Sequence, residues 1–316
     1  QLDYLVDGIL TTSHEIQETH PERWIEMPKL RGVRIENESY PYTLEGGKFM
    51  CISPERREFV HPEVFVEPDP EPAEEAIWPG SKAFVEAFDR LRIGALTAIE
   101  TDDHVTDAAI ELLLFPMIAS VLAGGGRVLY IPAPAQRLGE LWSSLQGLLQ
   151  PAQAQAQLRI VAPGATLPDA HPLLPCLMNV PRPTSDGPGA PIHSQIPKGR
   201  EFVITPAGPN GSRNLAVVAT DGLRLISNYS GSPYLPEALP VMIRSYDVGA
   251  RPHIVFVARS TDPLVSGLRM IASLQISLRN RNGRTFASGL KPLTPAYSLT
   301  PRSPSQERAY GLLRIV

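Results

Sequence analysis

The apolar and polar positions fall into their clearest order between Ile93 and Pro134. A short apolar run, Ala95–Ile99, is followed by a polar turn, a long apolar stretch over about Thr106–Leu122, and a second apolar run, Arg127–Ile131. Runs of four to eight residues predict buried strands, and the longer one predicts a helix. Because that helix is apolar almost all round, it must be buried on a sheet face rather than lie half in water. Pro116 inside it predicts a kink or a shortened regular part. Strand, helix and strand make a βαβ unit, with parallel strands, a right-handed crossover and a turn after the first strand that faces a ligand site.

The flanking patterns extend this unit. Ser81–Leu91 places Phe84, Ala87, Phe88 and Leu91 on one helical face, with Ser81 as its N-cap. Downstream, Leu138–Leu149 predicts a helix and Leu158–Ala162 a strand. Residues 163–200 have recurrent proline and no periodicity, which predicts a long, partly disordered loop. Phe202–Thr205, Leu215–Ala219 and His253–Ala258 predict strands, the last two as continuous apolar runs typical of a parallel core. Leu235–Val248 predicts a helix weakened by Pro240. Ile271–Leu278, Arg284–Lys291 and Tyr310–Val316 predict a closing β-meander.

Residues 1–52 offer three strand-like runs, Tyr4–Thr11, Arg23–Leu30 and Phe49–Ile52, with a turn at Glu45-Gly46-Gly47-Lys48. Three short strands cannot stand alone and must pack on another body. Residues 53–79, rich in proline and acid, predict an extended, solvated linker.

Composition narrows the classes. The chain has 316 residues, 43% hydrophobic and 20% charged, as a globular protein does. A formal charge of −4 gives no general pull toward nucleic acid or anionic membrane. Two cysteines make neither a disulfide framework nor a zinc pattern, and point to a reducing cytoplasm. Asp107 and Glu111 interrupt the longest apolar run, so no stretch is long enough to span a bilayer.

The two β-rich ends echo one another. Residues 4–52 run through a strand ending PKLRG, then SYPYTLEGG and FMCI. Residues 270–316 run through a strand ending GLKPL, then TPAYSLT and LLRIV. Lys29 thereby aligns with Lys291, and Tyr42-Thr43-Leu44 with Tyr297-Ser298-Leu299. Such similarity suggests tandem duplication, with residues 1–52 as the C-terminal β-rich tail of a first copy.

In its order of elements the chain resembles the RecA-like ATPases of the KaiC type, tandem-domain proteins that assemble as rings. The strand–turn–helix–strand at 95–131, LAVVATDGL, HIVFVARS, the terminal meander and YLVDGIL…IEMPKLRG carry the resemblance. It implies an α/β, RecA-like P-loop-type fold: a mostly parallel core sheet flanked by helices, with a C-terminal antiparallel β-meander. Residues 80–316 would form that domain. Lys29 and Arg31 match a lysine and arginine that reach a nucleotide held by an adjacent subunit, whereas Leu293 stands where the second copy would need the arginine. Asp221 matches the magnesium-coordinating (Walker B) acid approximately, since Thr220 fits in a register one residue away.

No G-x-x-x-x-G-K-[ST] phosphate loop occurs. Its position is taken by Glu100, Thr101, Asp102, Asp103, His104, Val105, Thr106 and Asp107, with no glycine and no lysine. Phosphate needs close backbone N–H groups and a cation, and these carboxylates would repel it. Asp102, Asp103, His104 and Asp107 are better read as helix-capping residues than as a metal cluster. No G-x-S-x-G, H-E-x-x-H or C-x-x-C appears, and no catalytic residues stand out. The leading expectation is the regulatory or scaffold, pseudo-ATPase half of a ring-forming ATPase. ATP and magnesium would then lie at a neighbouring subunit or an upstream domain, none within residues 80–316, and the partners would be further copies and a protein client. The alternatives are a recombinase-like DNA-binding assembly protein and a stand-alone α/β enzyme using residues 163–200 as a lid.

Overall fold

The structure, a computed structural model, describes residues 6–17, 20–32, 34–35, 38–52, 64–132, 138–161, 167–178, 214–218, 253–300 and 310–315. The strand expected at Phe202–Thr205, the helix expected at Leu235–Val248, and Asp221 with Thr220 lie outside these residues.

The chain begins with an antiparallel sheet of β1 (Gly8–Gln17), β2 (His20–Leu30), β3 (Ser39–Thr43) and β4 (Met50–Cys51), in that spatial order. The Glu45–Gly47 turn joins β3 to β4, with Gly46 at φ 65° and Gly47 at φ 73°, as the glycine pair there requires. SYPYT was not among the predicted strands. Its Pro41 is tolerated because β3 is short and near the sheet edge.

Residues 64–80 correct the expectation of a solvated linker. Trp78 Nε1 donates to the Glu67 carbonyl at 2.7 Å, and Glu67 Oε2 accepts from the Lys82 N–H at 3.0 Å. Arg90 grips both oxygens of Asp69 at 2.7 and 2.9 Å while lying over the Trp78 ring. The pairing of β5 (Ala76–Ile77) with β6 (Leu91–Arg92) closes a hairpin-like clasp around α1 (Lys82–Phe88). Buried Ile77 and Trp78 outweigh the extended preference of the surrounding prolines. Ser81 caps α1, accepting from the Phe84 N–H at 3.3 Å, and Phe84 and Phe88 bury the predicted face.

The core follows with β7 (Leu96–Thr101), α2 (Asp107–Ala123), β8 (Arg127–Ile131), α3 (Leu138–Leu145), α4 (Pro151–Gln157) and β9 (Leu158–Val161). The α4 segment PAQAQAQ was not predicted, since only Ala154 of it is buried and alanine–glutamine alternation carries little apolar signal. Helix α2 runs unbroken through Pro116, and buried residues ring it, as its composition predicted. It lies so close to the preceding segment that Gly80, at φ 80°, has no room for a Cβ: the Pro116 carbonyl stands there. Within 163–200, the described part is ordered structure, a turn at Leu174–Cys176 leading into β10 (Leu177–Met178). Cys176 and Leu173 anchor it in the core, which a search for periodicity over so short a piece could not reveal.

The remaining elements are β11 (Asn214–Val218), β12 (His253–Arg259), α5 (Leu264–Ile271), β13 (Leu274–Arg281), β14 (Arg284–Lys291), β15 (Leu293–Thr300) and β16 (Gly311–Arg314). Together they complete a ten-stranded sheet among the described residues, ordered β10-β9-β8-β11-β12-β7-β13-β14-β15-β16. From β10 to β13 every pairing is parallel, and from β13 to β16 every pairing is antiparallel. This is a mixed α/β fold with a parallel core and a C-terminal meander. Of these C-terminal elements, α5 and β15 lie outside the strands and helices that the sequence pattern predicts. Residues 293–300 were read only as part of the echo.

The first sheet packs on that meander. Trp24 and Ile52 from one join Phe286, Ala296 and Ile315 from the other in a small buried cluster. The expectation that residues 1–52 must lean on another body is met inside this chain.

Candidate functional site

The topology itself marks a crevice. From β7 the chain crosses through α2 to β8, passing β12 and β11; from β12 it crosses through α5 to β13, passing β7 on the other side. Right-handed crossovers in opposite directions put α2 and α5 on opposite faces. The side chains agree: Ile99, Val255 and Val257 join the core around α2, whereas Glu100 is held by Arg269 of α5. The carboxyl ends of β7 and β12 therefore flank the point where the connections diverge, the usual place for a ligand in an open α/β sheet.

What stands there is a turn that satisfies itself. The Asp102 carboxylate receives three backbone N–H groups: His104 at 2.8 Å and Val105 at 2.9 Å on Oδ1, and Asn280 at 2.8 Å on Oδ2. The Asp102 N–H donates to the Leu278 carbonyl at 3.1 Å, so the turn is also stitched to β13. Thr106 is the N-cap of α2, its Oγ1 accepting from the Ala109 N–H at 3.3 Å. A carboxylate belonging to the protein thus takes the N–H groups of the turn that leads into α2, which an external anion would otherwise find free.

The neighbouring groups are paired too. Glu100, buried at the end of β7, accepts two bonds from the Arg269 guanidinium at 2.9 and 2.6 Å. Thr101 is buried, and its carbonyl accepts from the Ser260 N–H at 2.8 Å. Asp103 meets Arg259 at 3.2 Å on the surface, and the His104 side chain is exposed. None of residues 100–107 has a left-handed φ, so the backbone has none of the glycine conformations that let a phosphate loop wrap its ligand. Among the described residues no group of three His, Cys, Asp or Glu side chains is placed to hold a metal ion.

Lys29 and Arg31 lie at the far end of β2. Lys29 pairs with Ile9 in the ladder, and Arg31 bonds Asp7 twice: through its N–H to the carbonyl at 2.6 Å and through its guanidinium to the carboxylate at 3.4 Å. Both partners of that ion pair are largely exposed. Lys291, aligned with Lys29, donates from Nζ to the Ala272 carbonyl at 2.7 Å. Sequence reasoning named the turn but not the residues that lock it: Arg259, Arg269 and Asn280. Arg269 was discoverable, since Leu264, Val265, Leu268 and Ile271 have the helical spacing that would have placed it on α5. Asn280 was not, because its contribution is a backbone N–H.

A second polar cluster lies at the opposite end of these strands. His253, fully buried at the start of β12, bonds the Arg92 carbonyl through Nδ1 at 2.7 Å and Thr97 Oγ1 through Nε2 at 2.9 Å. A carbonyl only accepts, so Nδ1 carries the proton and Nε2 accepts from the threonine hydroxyl. Burial pushes its pKa down to about 4.

Fold and site together define a mixed α/β protein in which the turn after β7 is held by its own Asp102 carboxylate. No family model matches the chain. It is similar to Protein GvpD2 of Halobacterium salinarum, 46% identical over 56 residues, which is 17% of this chain and 11% of that protein. It is also similar to Protein GvpD1 of the same organism, 43% identical over 54 residues, 17% of this chain and 10% of that protein. The matched segments thus span about a tenth of the length of these curated relatives. Among the described residues no helix is long and apolar enough to cross a membrane.

Proposed function

We propose that this chain is a regulatory or scaffold half of a RecA/KaiC-like, ring-forming ATPase, a pseudo-ATPase that does not itself hydrolyse ATP. The observation that carries this reading is Asp102, whose carboxylate accepts the N–H groups of His104 and Val105 in the turn before α2 and of Asn280 on β13. A nucleotide would have to displace that carboxylate and meet Asp107 in the first turn of α2 with no lysine in residues 100–107 to offset its phosphates, while Arg269 and Arg259 are engaged by Glu100 and Asp103. The parallel core and C-terminal meander support the fold assignment, and the short similarity to the GvpD proteins supports a relationship over one segment. In this reading Lys29 and Arg31 serve a site on a neighbouring subunit or an upstream domain, where ATP and magnesium would bind, and Asp221 is a vestige of the magnesium acid.

The test is isothermal titration of the whole chain with Mg-ATP and with Mg-ADP. The expected result is no saturable heat at the turn after β7. One-to-one binding with a Kd of about 10 μM or tighter, abolished by Thr106→Glu, would overturn it.

A further inference from the structure

The two antiparallel sheets share more than strand order. In the β1–β2 hairpin Ile9 pairs with Lys29 and Thr11 with Glu26, so β2 carries one extra residue just before its lysine. In the β13–β14 hairpin Gln275 pairs with Lys291 and Ile276 with Gly289, so β14 carries one extra residue at the same place. A bulge is a built feature, and its position fixes the register of both hairpins relative to each other. Counting from it, Trp24 is equivalent to Phe286, Glu15 to Arg281 and Glu22 to Arg284. On the third strands Tyr40, opposite Ile25, is equivalent to Tyr297, opposite Ala287, which replaces the alignment of Tyr42 with Tyr297 drawn from sequence.

Where the two sheets dock, equivalent positions meet. Trp24 and Phe286 pack edge to face with centroids 6.1 Å apart. Ile52, one residue past β4, and Ile315, one residue past β16, lie in the same buried cluster. Arg281 bonds its equivalent Glu15 at 2.7 Å and Glu22 at 2.5 Å, and its guanidinium lies 4.4 Å from the Trp24 ring centre. Each hairpin by itself sets like charges directly opposite: Glu15 faces Glu22, and Arg281 faces Arg284. Such cross-strand pairs are unfavourable.

We infer that the docking face of the C-terminal meander is a charge-coded recognition surface for a hairpin bearing an aromatic residue and two carboxylates. Arg281 relieves the Glu15–Glu22 repulsion, and the pairing of unlike meanders is thereby favoured. Two N-terminal meanders brought together the same way would oppose carboxylate to carboxylate, and two C-terminal ones guanidinium to guanidinium. Like-with-like assembly is excluded by charge, while the apolar cluster of Trp24, Phe286, Ile52 and Ile315 supplies adhesion without discrimination.

Amide hydrogen exchange of the full chain, followed by mass spectrometry on peptides covering residues 20–27 and 284–290, tests this. Arg281→Glu, and separately Glu15→Arg with Glu22→Arg, should each speed exchange in both hairpins roughly tenfold. The second variant places basic against basic and so imitates pairing of two C-terminal meanders. Combining all three changes should restore exchange to within about threefold of the parent. Arg281→Gln, which removes charge without reversing it, should fall between. Unchanged exchange in either single-sided variant, or a combined variant as loose as Arg281→Glu alone, would overturn the inference.

Discussion

Acidification should unlatch the fold through His253. The imidazole is buried between the Arg92 carbonyl and Thr97 Oγ1, and its pKa in the folded chain is about 4 against about 6.5 in an unfolded one. Between those values the unfolded chain binds the extra proton, so stability rises with pH across the window. The contribution is complete above pH 6.5 and is lost as pH falls toward 4. A displacement of about 2.5 units at about 1.4 kcal/mol each gives roughly 3 kcal/mol over the whole window. The assay is urea unfolding at pH 7.5, 6, 5 and 4, comparing the parent with His253→Leu. The variant loses two hydrogen bonds and should be less stable at pH 7.5, but it has no proton to take up. The gap between the two should therefore shrink by about 3 kcal/mol by pH 4. A gap that stays constant across the series would refute the reasoning, because other groups titrate equally in both proteins.

Two further substitutions probe the crevice and its support. Asp102→Ala strips three backbone N–H groups of their acceptor and should cost about 2–4 kcal/mol, measured as the shift in urea midpoint, while Asp102→Asn, which keeps one oxygen, should cost less. Gly80→Ala drives a methyl group into the Pro116 carbonyl at a left-handed φ and should cost about 2–4 kcal/mol by the same assay, with no compensating gain in unfolded-state entropy large enough to hide it.

The amino-acid sequence by itself determined the elements that rest on dense local signals. Apolar runs set β7, β8, β12 and the all-round buried α2; Ser81 set the start of α1; residues 100–107 carry neither the glycine nor the lysine of a phosphate loop. Each of these depends on residues a few positions apart, which is the range over which periodicity and capping act. Elements whose pattern is diluted went unread: the alanine–glutamine helix α4, the two-residue β10, the proline-bearing β3 and β15. Only long-range contacts held residues 64–80 in place, because Trp78, Arg90 and Asp69 act together only once the chain has folded back. The same is true of the site. Sequence could say that carboxylates crowd the head of α2, but not that Asp102 would reach a backbone N–H 178 positions away at Asn280. It could suggest that the two β-rich ends are copies, but not that Arg281 would close over Trp24 between Glu15 and Glu22. Register and contact between distant strands are fixed by the sheet as a whole, and no local pattern encodes them.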